Sequence, residues 1–130
     1  MSIPNLQNKM VLVVEDDDMS YLYLSQLLSI ANISHLREKT GAGAIKQFSD
    51  HSDFDAVLLD IQLPDLDGRE VTLAIRKINN LVPIIAQTAS RSGPEHDLML
   101  EAGCNCVLTK PFSMEQLFDE LENVLSGNRD

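Results

Sequence analysis

Short apolar runs alternate with segments of helical periodicity along this chain, and the alternation restricts the possible folds more than any other feature. Runs of β-branched and aliphatic residues, the second one weaker, predict five strands at residues 10–14, 34–38, 56–59, 83–86 and 106–109. Segments between and after them predict five helices at residues 19–31, 42–48, 69–78, 94–102 and 113–125. A helix after each strand is typical of an α/β domain, in which helices cover a central parallel sheet. The sequence therefore predicts a three-layer α/β/α fold.

The charge of the chain limits the partners that it can bind. Its 130 residues carry 20 Asp and Glu against 10 Lys and Arg, which gives a formal net charge of -10. Direct nucleic-acid binding needs a basic face that neutralises phosphates, so we expect no nucleic-acid partner. No apolar run approaches the roughly 20 residues that a membrane span requires, and the two cysteines lack a scaffold spacing. We therefore expect a cytoplasmic domain without membrane contact.

The first and last predicted helices should pack on the sheet through apolar stripes. In the first helix, Leu22, Tyr23, Leu27 and Ile30 recur at helical spacing and are predicted to face the core. In the last helix, residues 113–116 have a capping-box pattern ahead of a longer stripe. The residues of that stripe are Met114, Leu117, Phe118, Leu121, Val124 and Leu125.

The residues that follow the predicted strands carry most of the chemistry in this sequence. Parallel strands end at one edge of the sheet, where the ligands of α/β folds bind, so these residues belong together. They are Glu15, Asp16, Asp17 and Asp18 after the first strand, Asp60 after the third, Gln87, Thr88 and Ala89 after the fourth, and Lys110 and Pro111 after the fifth. Clustered carboxylates repel one another unless a positive charge compensates them. Lys110 supplies one charge, and the oxygen ligands suit a Mg²⁺ ion that keeps several waters.

Acidic residues at this edge have a structural interpretation beside the functional one. Asp17 and Asp18 stand at a predicted helix N-terminus, where carboxylates are stabilising, and the sequence does not separate that role from a functional one. Asp60 differs because it directly follows an apolar strand and precedes a loop bounded by Pro64 and Gly68. A reacting group held on a rigid element has this setting, so we interpret Asp60 as functional.

Four motifs, in order and at matching spacing, resemble the receiver domain of two-component response regulators. They are VLVVED at residues 11–16, LDIQLPDLDG at residues 59–68, TA at residues 88–89 and KPF at residues 110–112. The resemblance covers nearly the whole chain, and the middle block is highly specific. It implies a flavodoxin-like, doubly wound sheet of five parallel strands in the order 2-1-3-4-5, formed by residues 10–126.

The resemblance implies a metal site made by four residues. Asp16 would bind Mg²⁺, or Mn²⁺, directly, and Glu15 would orient the ion through water. Asp60 and the backbone carbonyl of Gln62 would complete the protein ligands. Because few protein groups hold the ion, we expect weak binding.

The resemblance also makes Asp60 the phosphoacceptor. Thr88 would hydrogen-bond the phosphoryl group, and Lys110 would pair with its oxygens. In this family an aromatic residue commonly stands three positions before the lysine and swings inward when the threonine moves, whereas this chain has Val107 there. We therefore expect phosphorylation chemistry of the family type, read out by a shift of the loop 89–93 and the next helix rather than by a moving ring.

As a receiver, the chain would be a signalling domain and not an enzyme, although it would assist its own phosphorylation and dephosphorylation. Its phosphodonor would be a histidine kinase or a histidine phosphotransfer domain. Its output partner would be a protein that binds the face built from residues 94–125. Residues 1–9 are interpreted as a lead or linker remnant and residues 127–130 as a tail. The chain is either a stand-alone regulator or part of a larger protein, with a hybrid histidine kinase favoured.

Two other functions fit parts of the sequence. Residues 16–20 match the Asp-x-Asp-x-Ser/Thr start of haloacid-dehalogenase-type phosphatases, in which Asp16 would be the nucleophile and Asp18 the general acid. That family needs a further acidic pair at a strand end after the lysine, and it leaves Asp60 without a role. A flavodoxin-like binding module is the other alternative. No phosphate-binding loop follows the first strand, however, and the carboxylates there would repel a phosphate.

Overall fold

The computed structural model describes residues 4, 6–51, 53–90 and 93–125. Within these residues, five strands alternate with five helices. The strands are β1 (Met10–Val14), β2 (Ser34–Glu38), β3 (Ala56–Asp60), β4 (Ile84–Thr88) and β5 (Cys106–Thr109). The helices are α1 (Asp18–Ile30), α2 (Gly41–Asp50), α3 (Gly68–Ile78), α4 (Pro94–Ala102) and α5 (Met114–Leu125).

The strands form one parallel sheet in the order β2-β1-β3-β4-β5, as predicted. Side chains of a strand point alternately to its two faces, so each face has its own core. Leu58 and Ile85 pack with α1 and α5 on one face. Leu59 and Ala86 pack with α2, α3 and α4 on the other face. The result is the predicted three-layer α/β/α arrangement.

Strand β4 lies farther along the chain than predicted. The sequence predicted residues 83–86, but the strand runs from Ile84 to Thr88 and includes Gln87. The polar Gln87 interrupts the apolar run, which is why the pattern placed the end of the strand too early. The ladder also continues beyond it, since Lys110 N–H donates to Thr88 O at 2.7 Å. Gln87 and Thr88 are therefore held on the sheet and not in the following loop.

The predicted stripe of α1 is wrong at three of its four positions. Leu27 is buried, together with Leu24 and Leu28. In contrast, Leu22, Tyr23 and Ile30 are 49%, 40% and 45% exposed, respectively. The helix carries apolar residues on most of its sides, so spacing alone did not identify the buried one. The side of α1 near its N-terminus therefore presents apolar groups to solvent.

The last helix follows its prediction. Ser113 N–H donates to Gln116 Oε1 at 2.8 Å, and Gln116 N–H donates to Ser113 Oγ at 3.0 Å, which confirms the capping box. Leu117, Phe118, Leu121 and Leu125 are buried, as predicted, and Met114 and Val124 are partly buried.

The segment before β1 contributes to the core. Leu6 is 9% exposed, and its N–H donates to Ala31 O at 3.1 Å, which ties this segment to the end of α1. The predicted tail, residues 127–130, lies outside the described residues, as do residues 1–3 and 5 of the predicted lead. Within the described part of the chain, no helix has both the length and the apolar character needed to cross a membrane.

Candidate functional site

A cleft of about 380 Å³ opens at the carboxyl ends of β1, β3, β4 and β5. Its lining contains most of the residues that the sequence singled out at these strand ends. The lining residues are Asp16, Asp17, Asp60, Gln62, Leu63, Pro64, Thr88, Ala89 and Lys110. Because each comes from a strand end or the loop that follows it, the sheet fixes their relative positions.

Asp60 ends β3 and is only 8% exposed. Its two carboxylate oxygens have different partners. Oδ1 accepts a hydrogen bond from Gln62 N–H at 3.0 Å, and Oδ2 accepts one from Lys110 Nζ at 3.0 Å. The carboxylate is therefore held in one orientation by its own loop and by the residue that follows β5.

Lys110 also contacts a second carboxylate. Its Nζ donates to Glu15 Oε1 at 3.2 Å, so one ammonium group bridges the ends of β1 and β3. Burial disfavours the charged lysine, but the hydrogen bond and charge of Asp60, with those of Glu15, outweigh it and raise the pKa of Lys110. The ammonium charge is therefore kept in the site.

Glu15 is fully buried, which is unusual for an ionisable residue. Burial raises the pKa of Glu15 to about 7, and the hydrogen bond and negative charge of Asp60 act in the same direction. Lys110 and the N–H of Asp17, which donates to Glu15 Oε2 at 3.2 Å, offset only part of this effect. Positive charge added near the two carboxylates would favour loss of the proton from Glu15.

Glu15, Asp16 and Asp60 together fit a divalent cation. Each can offer one carboxylate oxygen, and these oxygens lie within 4.8 Å of one another. Lys110 bonds to two of the three carboxylates and Asp16 is exposed, so negative charge remains in the cleft. Oxygen donors with an open side suit Mg²⁺ or Mn²⁺, which retain several waters.

Thr88 lines the cleft from β4, which β3 separates from β1 and from the acidic residues that follow β1. It ends β4 and is 6% exposed, and its Oγ1 accepts a hydrogen bond from Ser90 N–H at 3.1 Å. The hydroxyl thus lines the cleft and also bonds to the loop before α4. A group that attracts the hydroxyl would act on that loop.

Asp17 and Asp18 have the structural roles that the sequence left open. Asp17 is the N-cap of α1, and its carboxylate accepts from Ser20 N–H at 2.8 Å. Asp18 pairs with Arg37 at 2.9 Å and Lys39 at 3.7 Å. These contacts lower the pKa of both carboxyl groups. Of the two, only Asp17 also lines the cleft.

Sequence reasoning gave no role to two residues near the site. Asp65 accepts hydrogen bonds from Gly41 N–H at 2.8 Å and Ala42 N–H at 2.9 Å, so it ties the loop after β3 to the start of α2. Gln87 is 1% exposed and lies beside Asp60 in the sheet register. A long-range cap such as Asp65 has no local signal, whereas the polar Gln87 in an apolar strand was a visible one.

Comparison with known proteins identifies a family. Residues 11–122 match the family profile described as the response regulator receiver domain. The chain is 35% identical over 130 residues to ethylene receptor 2 of Oryza sativa subsp. japonica, covering 97% of this chain but 17% of that receptor. It is 28% identical over 119 residues to the polar-differentiation response regulator DivK of Brucella ovis, covering 90% of this chain and 96% of DivK.

Solved structures lead to the same family. The receiver domain of the sensor histidine kinase PA1611 from Pseudomonas aeruginosa PAO1 superposes with a TM-score of 0.85 and 30% identity, over 92% of this chain and 98% of that domain. That structure has a magnesium ion coordinated in its active site cleft. These comparisons give no support to the phosphatase alternative with Asp16 as nucleophile.

Proposed function

This chain belongs to the response regulator receiver family of two-component signalling, and we propose that Asp60 is the residue on which it carries a phosphoryl group. The observation that carries the proposal is the 3.0 Å contact between Asp60 Oδ2 and Lys110 Nζ, beside the carboxylates of Glu15 and Asp16. A carboxylate fixed on a strand end beside a lysine has the position and the charge partner that attack on phosphorus requires.

The reaction joins two groups that repel each other. An Asp60 carboxylate oxygen forms a bond to phosphorus while the phosphorus–nitrogen bond of a phosphohistidine breaks, and the imidazole nitrogen keeps the electron pair. The repulsion between the two anions is reduced by Lys110, which is already aimed at Asp60 and stabilises the oxygens on which charge develops. Lys110 then remains close to the acyl phosphate product.

Glu15, Asp16 and Asp60, with the backbone carbonyl of Gln62, are the residues that would hold Mg²⁺ or Mn²⁺. The bound ion supplies positive charge that neutralises phosphoryl oxygens. Of these carboxylates, Glu15 is buried and Asp16 is exposed. The negative charge of Glu15 therefore depends more strongly on a nearby positive charge. Phosphorylation and dephosphorylation assisted by these same groups would make the signal reversible.

Thr88 is the residue that would sense the phosphoryl group. Its hydroxyl can donate to a phosphoryl oxygen, and it now accepts from Ser90 N–H. Movement of Thr88 toward Asp60 would shift the loop before α4. We therefore propose that a protein output partner binds the face of α4, β5 and α5, and that residues 10–126 form the phosphoaccepting unit.

The phosphodonor is a histidine kinase or a histidine phosphotransfer domain, the source of phosphoryl groups for receivers. We propose a cytoplasmic location, because ATP, the phosphoryl source of histidine kinases, is found there. The chain spans 17% of the ethylene receptor but 96% of DivK, so its relatives include both a much longer protein and a regulator of about the same length.

Intact-mass spectrometry tests the proposed role of Asp60. The protein is treated with acetyl phosphate and Mg²⁺, and wild type is expected to gain the mass of one phosphoryl group. Asp60→Asn should gain none, while Asp53→Asn, an exposed carboxylate outside the cleft, serves as the matched control and should label like wild type. Equal labelling of the Asp60→Asn variant would exclude this residue as the acceptor.

The same assay on Asp16→Asn separates a metal ligand from a nucleophile. If Asp16 is a ligand, labelling of this variant should weaken at low Mg²⁺ and recover at high Mg²⁺. Complete loss at all Mg²⁺ concentrations, with normal labelling of Asp60→Asn, would instead make Asp16 the residue that reacts.

A further inference from the structure

Gln87 is a buried amide whose nitrogen has no partner among the described residues. The side chain is 1% exposed, and its Nε2 has no hydrogen bond. An amide buried without a bond is destabilising, and an apolar side chain of similar size would not incur that cost. Glutamine at position 87 therefore stabilises the fold less than an apolar residue of similar size would. This cost suggests that the amide has a function.

Gln87 is one of the residues that line a cavity of about 590 Å³ on the α1 side of the sheet. The cavity lies between the start of α1 and the segment after β5, and its lining includes Met19, Tyr23, Lys110 and Phe112. Tyr23 joins the two sides, since its hydroxyl donates to Phe112 O at 2.7 Å. This is a mainly apolar recess with few polar groups, the composition of a specific binding pocket.

The cavity adjoins the cleft that contains Asp60. Lys110 lines both, and its Nζ bonds to Asp60. A protein that brings a phosphohistidine to Asp60 must cover the surface around the cleft, so it also reaches this recess. The lining is suited to such contact because Met19 is 73% exposed and Tyr23 is 40% exposed.

We propose that Gln87 is a specificity-determining residue for the phosphodonor protein. Its side-chain amide donates a hydrogen bond to an acceptor, a carbonyl or carboxylate oxygen, that the donor inserts between α1 and Phe112. The last torsion of a glutamine side chain is broad, so the amide can turn toward the cavity without backbone movement. A donor that presents an acceptor satisfies the amide, whereas one that presents only apolar groups leaves it unpaired and binds less well.

The inference rests on the proposed function, because it assigns a partner to the site around Asp60. The two can nevertheless fail separately. Acetyl phosphate is too small to bridge from Asp60 to the recess in the way a protein does, so it reports on the chemistry of Asp60 without the contact at Gln87.

The test compares two phosphodonors on the variant Gln87→Met, which keeps the side-chain length and removes the amide. The protein donor is the purified phosphohistidine protein that labels wild type fastest in a panel of histidine kinases and phosphotransfer domains. With it, kcat/KM should fall roughly ten- to hundredfold, mainly through KM, because the contact lies away from the reacting atoms. Labelling by acetyl phosphate should stay within about twofold of wild type.

Two further variants guard the comparison. Gln87→Leu also removes the amide but has a side chain of different shape. An effect that both variants share is therefore due to loss of the amide and not to the way methionine packs. Gln47→Met makes the same chemical change on α2, where Nε2 donates to Glu38 Oε2 at 3.0 Å, and should leave both donors unaffected.

Three results would overturn the inference. If the Gln87 variants accept phosphoryl groups from the protein donor at the wild-type rate, the amide forms its hydrogen bond with water and not with the donor. If both donors lose rate equally, Gln87 acts on Asp60 or on the fold. If Gln47→Met loses the protein donor to the same extent, the effect is not specific to the recess. Failure of acetyl phosphate to label wild-type Asp60 would count against the proposed function instead.

Discussion

Lys110 Nζ lies 3.0 Å from Asp60 Oδ2 although the two residues come from strands that are not neighbours. β4 separates β3 from β5, so the lysine side chain must extend across the end of β4 to reach Asp60. Gln87, the register partner of Asp60, lies on that intervening strand. The contact therefore links the ends of β3 and β5 across the end of β4.

Replacing Lys110 by methionine should slow phosphorylation of Asp60. The variant removes the cation that contacts Asp60 and Glu15, so two carboxylates face the incoming phosphoryl group without it. We expect the initial rate of labelling by acetyl phosphate to fall at least about tenfold, measured by intact mass. Lys46→Met, which breaks the exposed pair with Asp50 on α2, is the control and should react at the wild-type rate. A normal rate for Lys110→Met would show that the ammonium charge is dispensable.

The stability of the metal-free protein should depend on the protonation of Glu15. The folded protein raises the pKa of this carboxyl from 4.5 to about 7, so between these values the native state binds more protons than the unfolded chain. The contribution of Glu15 to the free energy of unfolding is therefore present at pH 4.5 and is lost as the pH rises to about 7. We expect a loss on the order of 2 kcal/mol.

Urea denaturation with a chelator present, for wild type and Glu15→Gln, isolates this contribution. The lowered pKa of His35 acts in the opposite direction but is common to both proteins. The stability of wild type relative to Glu15→Gln should therefore fall between pH 5 and pH 7. A difference that does not change with pH would mean that Glu15 ionises as an ordinary exposed carboxyl.

Asp16 should matter more than Asp17 for Mg²⁺ binding. Both line the cleft, but the carboxylate of Asp17 is engaged in capping α1. Asp16→Asn should weaken Mg²⁺ affinity at least about tenfold, and Asp17→Asn should change it little because asparagine is also a good N-cap. Titration followed by NMR shifts of cleft amides measures both. Equal losses would place the ion closer to the α1 N-terminus than we propose.

The order of the strands and helices was predictable from the sequence, but the end of β4 and the buried side of α1 were not. Strands β1, β2 and β5 have the predicted bounds because β-branched and apolar runs mark them. The end of β4 was missed because hydrogen bonding, and not hydrophobicity, keeps Gln87 and Thr88 in the ladder. The buried side of α1 was missed because Leu22 and Tyr23 are as apolar as the residues that pack on the sheet.

The location of the site residues followed from a general property of parallel sheets. The burial and the electrostatic interactions of these residues did not. Strand ends share an edge, which predicted that Asp60, Thr88 and Lys110 would meet in one cleft. The complete burial of Glu15 and its contact with Lys110 depend on tertiary packing across 95 positions of sequence, and no local pattern encodes them.

Val107→Ala should affect stability more than signalling. Val107 is partly buried against the core on the α2, α3 and α4 face. Losing two methyl groups there should reduce the free energy of unfolding by about 1 kcal/mol, measured by urea denaturation. Labelling of Asp60 and the phosphorylation-dependent affinity for an output partner should be nearly unchanged. A large loss of that affinity, at normal labelling, would show that Val107 transmits the signal.

Locating the phosphoryl group in the chain tests most directly whether Asp60 is the phosphoacceptor. Wild-type protein is labelled with acetyl phosphate and Mg²⁺ and then reduced with borohydride, which converts an aspartyl phosphate to homoserine, and tandem mass spectrometry of the peptides finds the converted residue. Our account predicts homoserine at position 60 and unmodified aspartate at positions 16, 17 and 18. Conversion at Asp16 with an unmodified Asp60 would contradict it.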